Sequence, residues 1–434
     1  MLIEFSVGNY KSFRDVETFS MVATKIKAKD SEVDENNTFK IDDDLSLLKS
    51  AAIYGANASG KSNFAEALRF MRNFAKNSSK ETQSTDSIPI EEFRLSSSNS
   101  GKPSFFQIVF LLDGKQYRYG FEVSAYEVIS EWLFYVPNVK ETKLFERRNG
   151  KIILSPKFTE GKGLTERTRS NALFLSVAAQ FNGLISENIL QMFSQLNIIS
   201  GLDDILTRNF TTHYFQDKLQ KNAIITFVKS LDLGIDSIEV EASKITKEYL
   251  PKEMPEYLKK AIVEMNTPKF NIKTIHKKFD DKGKQVDTEV FDIDNHESDG
   301  TRKLFSLAGP IIETLTLGNV LIIDEFDARL HPLISREIIT LFNSNETNSK
   351  NAQFIFTTHD TNLLTNKLFR RDQIWFAEKD KTEATHLHSL AEYKVRNDAS
   401  FENDYIQGRY GAVPFIGDLK QLFEEPVAVE DTND

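Results

Sequence analysis

The residues with the most distinctive chemistry lie between Gly55 and Ser62, where the letters GANASGKS fit the spacing G-x-x-x-x-G-K-[ST] at every fixed position. Glycines in such a loop let the backbone turn tightly and bring its N–H groups close to an anion. Lys61 adds a positive charge for phosphate oxygens, and the Ser62 hydroxyl is a ligand that suits Mg²⁺. The pattern therefore predicts a loop that binds a nucleoside triphosphate. The residues expected to contact the nucleotide are Gly55, Asn57, Ser59, Gly60, Lys61 and Ser62.

A second group with distinctive chemistry is the acidic pair Asp324 and Glu325, which follows the apolar run 320–323. An aspartate at the end of a buried strand can hold Mg²⁺ through water, and the next glutamate can take the proton from an attacking water. A strand that merely ends in two acids is the alternative. Because the chain also contains the phosphate loop, we favour a magnesium ligand at Asp324 and a general base at Glu325.

Two further features each have an ordinary structural alternative. His359 follows the apolar run 354–356, and strand ends of this kind carry either capped structural residues or ligand-binding residues. We favour a sensor of the γ-phosphate at His359. Ser298 and Gly300 precede a helical pattern, where serine is also a common helix cap. Their local sequence does not decide between a cap and a nucleotide contact.

The elements around these residues predict an α/β fold. An apolar strand precedes the phosphate loop, and Phe64, Leu68, Met71 and Ala75 follow it at helical spacing. The short apolar runs 320–323, 354–356 and 374–376 are typical of parallel strands covered on both faces. Strand patterns joined by turns predict an antiparallel lobe, for which 173–175 could be a last strand, and 213–265 is predicted to be largely helical.

These patterns divide the chain into five segments. They are an N-terminal part of the core with the phosphate loop (1–80), an antiparallel β lobe (81–160), a mostly helical insert (161–268), a C-terminal part of the core (269–420) and an acidic tail (421–434).

Composition excludes several classes of function. The chain of 434 residues has no cysteine, which rules out disulfides, thiol catalysis and cysteine-ligated metals. There is no long apolar window and no basic-then-apolar leader at Met1, so we expect a cytoplasmic protein without a membrane partner. The net charge of −10 argues against a surface that coats DNA. Residues 140–169 carry nine Lys or Arg and four Asp or Glu, which leaves a solvated face, a nucleic-acid contact or a contact with an acidic partner open.

The order of these motifs resembles the ATP-binding-cassette type of head found in structural-maintenance-of-chromosomes (SMC) proteins, RecF-like repair ATPases and OLD-type nucleases. Within that class, three stretches resemble prokaryotic AAA family ATPases of abortive-infection and anti-phage systems, including the AbiL/RloA-like group. These stretches are Asn9–Phe13 (NYKSF), Asp324–Pro332 (DEFDARLHP) and Gly408–Ala412 (GRYGA).

The resemblance implies an ABC-type P-loop head with a mixed or parallel core sheet, which binds ATP with Mg²⁺ and uses Glu325, His359 and Lys61 in hydrolysis. It also implies a composite site, in which Ser298 and Gly300 of one subunit cap the nucleotide of the other. Asp327 would then lie at the subunit boundary. The match departs from the usual Leu-Ser-Gly-Gly-Gln signature, because Asp299 replaces the first glycine. Gln180 is a candidate for the glutamine that contacts Mg²⁺, with a plain loop residue as the alternative.

The resulting hypothesis is an ATPase that forms a homodimer or higher homo-oligomer and controls a separate effector, a nuclease or toxin encoded nearby, in anti-phage defence. A DNA-binding repair ATPase is the alternative. A scaffold that does not hydrolyse ATP is disfavoured, because the loop and the acidic pair are both complete. OLD-type relatives carry a nuclease domain after the ATPase. The stretch after His359 is too short for the remaining strands and such a domain, so we expect the effector in another chain.

Overall fold

The computed structural model describes residues 1–137, 140–231, 233–244, 246, 253–264, 268–396 and 399–419. The predicted acidic tail at 421–434 lies outside these residues. Within these ranges, no helix has the length and apolar character needed to span a membrane.

In chain order the strands are β1 (Leu2–Gly8), β2 (Glu17–Ser20), β3 (Thr38–Lys40), β4 (Ser46–Leu48), β5 (Ser50–Tyr54), β6 (Ser104–Leu112), β7 (Lys115–Val123), β8 (Val128–Val136), β9 (Thr142–Arg148), β10 (Lys151–Leu154), β11 (Leu196–Ser200), β12 (Ile235–Lys244), β13 (Pro268–Phe279), β14 (Gln285–Asp292), β15 (Val320–Asp324), β16 (Gln353–Thr357), β17 (Ile374–Lys379) and β18 (Thr385–Ser389). The helices are α1 (Ser31–Asn37), α2 (Lys61–Asn77), α3 (Phe174–Gln180), α4 (Leu184–Ser194), α5 (Asp204–Tyr214), α6 (Lys218–Ser230), α7 (Glu256–Glu264), α8 (Ile293–His296), α9 (Asp299–Leu317), α10 (Pro332–Asn343) and α11 (Phe401–Ile406).

The central element is a six-stranded sheet with the order β11-β15-β16-β5-β17-β18. Its first five strands are parallel, and β18 pairs antiparallel with β17. Alternate residues of β5, β15 and β16 face two different apolar cores, one containing α2 and the other containing α9 and α10. Sheets buried on both faces require such continuous apolar strands. The predicted α/β fold with a mixed core sheet is confirmed, as are the three predicted parallel strands.

A seven-stranded antiparallel sheet covers the other side of α2, with the order β10-β9-β8-β7-β6-β1-β2. The predicted hairpin of β6 and β7 is present, with Phe106 paired to Phe121. This sheet also includes β1 and β2, because Val7 of β1 pairs with Phe106. The sheet therefore takes strands from both the 1–80 and the 81–160 segments, a long-range pairing that local patterns do not reveal.

The predicted strand at 173–175 is wrong, because helix α3 begins at Phe174 and Leu173 is its N-cap. The buried side chain of Glu131, on β8, accepts hydrogen bonds from the N–H groups of Phe174 (2.6 Å) and Leu175 (3.0 Å). These are N–H groups that the first turn of a helix leaves without a partner. A carboxylate from a distant strand thus stabilises the start of α3, and the local sequence gives no sign of it.

The prediction that 213–265 is largely helical is only partly correct. Helices α5, α6 and α7 are present, but β12 runs through 235–244 and pairs with β13. With β14, these strands form a separate three-stranded sheet, in which the predicted hairpin of β13 and β14 is confirmed. Strand β11 within the predicted helical insert was also missed, and it forms an edge of the central sheet.

Helix α9 continues through Pro310, which cannot donate a backbone hydrogen bond to the carbonyl of Ser306. The hydroxyl of Thr211, on α5, donates to that carbonyl oxygen instead (2.6 Å). The same oxygen atom of Thr211 accepts from the N–H of Gly309 (3.1 Å), and a Cβ on Gly309 would lie only 2.6 Å from it. Close contact with α5 therefore compensates for the proline and keeps α9 intact up to the segment that precedes β15.

Candidate functional site

The candidate site lies at the carboxyl edge of the central sheet. Strand β5 leads into Gly55, β15 ends at Asp324, and β16 leads to His359. The register brings these ends together, since Ile323 pairs with Phe356 and Thr357 pairs with Ile53. In open parallel sheets this edge is where ligands bind.

The phosphate loop has the backbone expected for an anion site. Gly60 has φ +105°, a backbone conformation that residues with a side chain rarely adopt. A Cβ at this position would also overlap the side chain of Thr385. Gly60 caps α2 without a side chain that could occupy the first N–H groups of the helix. Ser59 Oγ is buried and has no hydrogen-bond partner among the described residues. An oxygen-rich anion would satisfy both kinds of donor. Asn57 and Ser62 are exposed at the same loop.

Lys61 is buried beneath this loop, where its ammonium group donates to the carbonyl oxygens of Gly55 (2.8 Å) and Ala56 (2.9 Å). Burial lowers the pKa of Lys61 to about 8, although the carboxylates of Asp324 and Glu325 act in the opposite direction. The influence of these carboxylates shows that the loop and the acidic pair share one electrostatic environment.

The lowered pKa of Lys61 predicts a pH-dependent affinity for ATP. A bound triphosphate favours the charged ammonium and raises its pKa, so binding takes up a proton once the free lysine has lost it. We therefore expect the affinity to be constant below about pH 8 and to fall up to about tenfold per pH unit above it. Titration calorimetry from pH 7 to 9.5 measures this.

The control variant is Lys61→Arg, whose guanidinium stays charged throughout this range. Its profile should be flat or much shallower. A wild-type affinity that does not change between pH 8 and 9.5 would contradict the assignment of Lys61 to the phosphates.

The acidic pair is positioned by Thr357, which the sequence did not single out. The Thr357 hydroxyl donates to Asp324 Oδ1 (2.6 Å) and accepts from the N–H of Glu325 (2.8 Å). Glu325 has φ +53°, an uncommon left-handed conformation for a residue with a side chain. In the sequence, the signal for this role was a threonine directly after the apolar run 354–356. Thr357 fixes both the carboxylate of Asp324 and the turn that carries Glu325.

Lys303, on the buried face of α9, supports the segment that follows the acidic pair. Its ammonium group is fully buried and donates to the carbonyl oxygens of Phe326 (2.9 Å) and Ala328 (2.6 Å). Burial lowers its pKa to about 8, while the carboxylates of Asp204 and Asp327 act against this. A lysine at an apolar position of a helix pattern was the signal that sequence reasoning missed. Lys303 couples the start of α9 to the acidic loop.

We expect Lys303→Met to slow ATP hydrolysis more than it weakens ATP binding. Methionine fills the space but leaves buried carbonyl oxygens unpaired, at a cost of about 1–3 kcal/mol in stability. The phosphate loop makes no hydrogen bond to Lys303, so calorimetric ATP affinity should change little. Lys282→Met, in the exposed turn after β13, is the control for loss of a lysine. Equal losses of affinity and rate in Lys303→Met would contradict this role.

His359 and Asp327 lie close together beside the acidic pair. The backbone N–H of His359 lies 3.4 Å from both carboxylate oxygens of Asp327. The His359 ring is exposed, yet partial burial and the charge of Lys61 lower its pKa, against the nearby carboxylates. The ring is therefore neutral near pH 7, and its one N–H can donate a hydrogen bond to an anionic oxygen.

Ser298 caps α9, because its hydroxyl accepts from the N–H of Thr301 (3.1 Å). The residue is exposed at the helix start, so the structural role is observed and a contact across a subunit boundary stays a prediction. A Cβ on Gly300 would lie 2.9 Å from the carbonyl oxygen of Arg329. The glycine therefore allows the segment after the acidic pair to lie against the first turn of α9.

Gln180 is not brought to the phosphate loop. It is exposed at the end of α3, which packs against the far end of α2. There, the hydroxyl of Ser78 accepts from the N–H of Leu173 (3.1 Å). Helix α2 is 17 residues long and begins at Lys61, so its far end lies about 25 Å from Lys61. These contacts of α3 give no support to Gln180 as a magnesium ligand, and that role stays a prediction from the resemblance.

The neighbour of Asp324 at the sheet edge is instead the end of β11. Ser200 pairs with Asp324, and the N–H of Gly201 donates to the carbonyl oxygen of Asp324 (2.6 Å). The signal for this strand was the short run 196–199, which is apolar except for Asn197.

The Asn9–Phe13 turn supports the back of the phosphate loop. Ser12 Oγ accepts from the side-chain amide of Asn63 (2.7 Å), and its carbonyl accepts from the N–H of Thr385 (2.7 Å). The Thr385 hydroxyl lies 2.8 Å from the carbonyl oxygen of Ser59. The Asn9–Phe13 turn is thus linked to the phosphate loop through β18.

The donor set fits a magnesium ion. The exposed Ser62 hydroxyl and the Asp324 carboxylate are hard oxygen ligands, and Mg²⁺ in nucleotide sites takes its other ligands from phosphate and water. Among the described residues, no group of three or more histidine and acidic side chains is arranged to hold a metal.

Two of the nine basic residues at 140–169 have structural roles. Arg147 is buried and donates to the carbonyl oxygens of Ala172 (2.8 Å) and Ser170 (3.0 Å). Arg169 donates to the carbonyl oxygen of Ser78 (3.1 Å). These contacts join the antiparallel sheet to the end of α2, and they reduce the charge available to a nucleic acid.

Comparison with known proteins gives one family. Residues 50–365 match the family described as "AAA domain, putative AbiEii toxin, Type IV TA system". No curated protein matches the chain.

Several solved structures are similar at low identity. The SMC head domain from Thermotoga maritima has 13% identity and a TM-score of 0.39, covering 89% of this chain and 98% of that chain. The recombination mediator protein RecF has 12% identity and a TM-score of 0.35, with coverage of 89% and 98%. The Smc head domain bound to the C-terminal domain of ScpA, from Pyrococcus furiosus, has 13% identity and a TM-score of 0.35, with coverage of 94% and 98%.

Proposed function

The chain belongs to the family of AAA domains that matches residues 50–365, and from this premise we propose that it binds and hydrolyses ATP to regulate a separate toxic effector in anti-phage defence. The observation that carries the ATPase assignment is the contact of Thr357 with both Asp324 and Glu325, at the edge where the phosphate loop begins. The family description, which names a toxin–antitoxin system, supports the effector.

In the proposed binding step, the N–H groups at the start of α2 and the ammonium of Lys61 hold the phosphates. Lys61 exchanges its contacts with the carbonyls of Gly55 and Ala56 for phosphate oxygens. Ser62 and Asp324 would hold Mg²⁺, which when bound neutralises charge on the β- and γ-phosphates. Ser59 Oγ gains the partner that it lacks among the described residues.

In the proposed hydrolysis step, Glu325 takes a proton from the attacking water. The water oxygen bonds to the γ-phosphorus, and the bond between the γ-phosphorus and the bridging oxygen of ADP breaks. The products are ADP, inorganic phosphate and a proton, which Glu325 later releases. Thr357 holds the turn that directs Glu325, and the neutral ring of His359 contacts the γ-phosphate. A positioned base of this kind contributes about 10²–10⁴ in rate.

We propose that a second copy of the chain contacts the bound nucleotide from the opposite side. Ser298 and Gly300 stand at the exposed start of α9, where N–H groups and the positive end of the helix can meet a γ-phosphate from a partner. Lys303 connects this helix start to the acidic loop of its own subunit. Closure of the dimer can therefore depend on bound ATP, and release of phosphate can reopen the dimer.

The outer face of the antiparallel sheet is our candidate for the effector contact. A cavity of about 540 Å³ lies there, lined by Phe105, Trp132 and Phe134 among others. The Arg118 guanidinium lies over the Phe134 ring at 4.4 Å. Aromatic residues and arginine are enriched in protein interfaces. Because opposite charges on this face are paired, such as Arg118 with Glu141, a protein partner fits better than a polyanion.

The effector proposal predicts toxicity that depends on two genes. Co-expression with a neighbouring gene should stop growth, and the effect should change with Lys61→Ala, which cannot bind ATP normally. Trp132→Ala should also weaken the effect of co-expression on growth. Tyr126 is an exposed aromatic residue in the turn after β7, and Tyr126→Ala should leave this effect unchanged. Growth curves and co-purification measure both effects.

Two outcomes would contradict this assignment. If the purified chain cuts DNA or RNA with Mg²⁺ or Mn²⁺, and a point mutation in the chain abolishes cleavage, the effector is not separate. If duplex DNA stimulates hydrolysis and no neighbouring gene affects growth, the alternative of a DNA-binding repair ATPase is favoured.

A further inference from the structure

The cavity at the phosphate loop continues to a segment near the end of the described chain. Its volume is about 900 Å³, and it is lined by 55–59, by His359 and by Val413–Ile416. Strand β17 contributes Glu378 and Lys379 to the lining of the same cavity.

The order of the strands indicates in which direction a bound nucleotide extends along the cavity. Asp324 and His359 lie on one side of β5, at the ends of β15 and β16, and in the proposed site they are next to the γ-phosphate. Strand β17 lies on the other side, where Phe376 pairs with Tyr54. A nucleotide whose phosphates occupy the loop therefore extends its sugar and base towards β17 and Val413–Ile416.

The segment is held in place just before it reaches the cavity. The Tyr405 hydroxyl donates to the carbonyl oxygen of Ala412 (3.0 Å), and the Tyr393 hydroxyl donates to that of Tyr410 (3.2 Å). The Tyr405 and Tyr410 rings both pack on Phe376. This is the structural role of the Gly408–Ala412 motif, which fixes the start of the segment against the central sheet.

Beyond this anchor the segment presents apolar side chains to solvent. Phe415 is 98% exposed and Ile416 is 74% exposed. Large apolar side chains that are almost fully exposed contribute nothing to the core of the isolated chain. Their position on the wall of a nucleotide cavity provides a partner for them, since every base has an apolar face that stacks on aromatic rings.

We propose that Val413–Ile416 forms the nucleobase subsite, with the Phe415 ring stacked on the base of the bound nucleotide. The proposal rests on the proposed ATP site, and it adds a binding role for a segment outside the matched family region of 50–365. It also gives a reason why the chain folds the Gly408–Ala412 motif against β17.

The test compares ATP with inorganic triphosphate, which has the phosphates and no base. Phe415→Ala should bind Mg–ATP about 5-fold to 100-fold more weakly, as expected for loss of a base–aromatic stack, and should bind triphosphate as the wild type does. Because Phe415 is 98% exposed, the substitution leaves the fold intact. Phe415→Trp should retain ATP affinity, and its added fluorescence should change with ATP but not with triphosphate.

The matched control is Leu95→Ala. Leu95 is 65% exposed and lines a neighbouring depression of about 390 Å³ that also touches Lys379 and Glu383. If Leu95→Ala weakens ATP binding and Phe415→Ala does not, the base lies on that side and the proposal is overturned. If both variants bind ATP normally, the base subsite is also wrong while the phosphate site stands. If the wild type binds neither ATP nor triphosphate, the ATP site itself fails.

Discussion

Glu325→Gln is expected to bind ATP normally and to hydrolyse it about 10²–10⁴-fold more slowly than the wild type. The amide cannot take the proton of the attacking water, while the Asp324 carboxylate and its bond from Thr357 remain. Burst measurements of phosphate release give the rate, and calorimetry gives the affinity. Glu346→Gln, at an exposed position after α10, is the control for removal of a carboxylate.

Wild-type hydrolysis by Glu325→Gln, in a preparation free of contaminating ATPases, would remove Glu325 as the base. A loss of ATP binding in this variant would show instead that Glu325 acts in the ground state.

The second large effect concerns the shared site. Ser298→Arg should block hydrolysis in a homomeric preparation, because the bulky cation occupies the exposed helix start that would face the partner's nucleotide. Lys61→Ala should block it through the phosphate loop. In an equimolar mixture, mixed dimers contain one site with an intact loop and an intact serine. Activity should therefore recover to about a quarter of the wild-type value if subunits exchange at random across a two-fold interface.

The matched control mixes each variant with itself, which should give no recovery. Native mass spectrometry establishes that the mixed dimer is present. No activity in a mixture that contains it would contradict a site shared between subunits.

Local patterns were sufficient for the parts of this site that depend on neighbours in sequence. The glycines, Lys61 and Ser62 lie between one strand and one helix that are adjacent in sequence, so their spacing is enough to predict the shape of the loop. The acidic pair was predictable for a similar reason, since a continuous apolar strand that ends in two acids fixes where the carboxylates emerge.

The remaining features depend on contacts between distant parts of the chain. Thr357 and Lys303 act on the acidic loop from another strand and another helix. Glu131 stabilises the start of α3 from β8, and without that contact an apolar run such as 173–175 has no unambiguous period. The prediction for Gln180 depended on the same run, because its expected position followed from the secondary structure of 173–175.

Nucleotide-dependent dimerisation is tested most directly by sedimentation velocity on Glu325→Gln, with and without Mg–ATP. This variant retains the phosphate loop and Asp324, so it should hold ATP without converting it. We predict a slower-sedimenting species without nucleotide, a dimer with ATP, and no dimer with ATP when Ser298→Arg is added. A sedimentation profile that is unchanged by saturating Mg–ATP would contradict the proposal that this ATPase regulates its effector through nucleotide-dependent assembly.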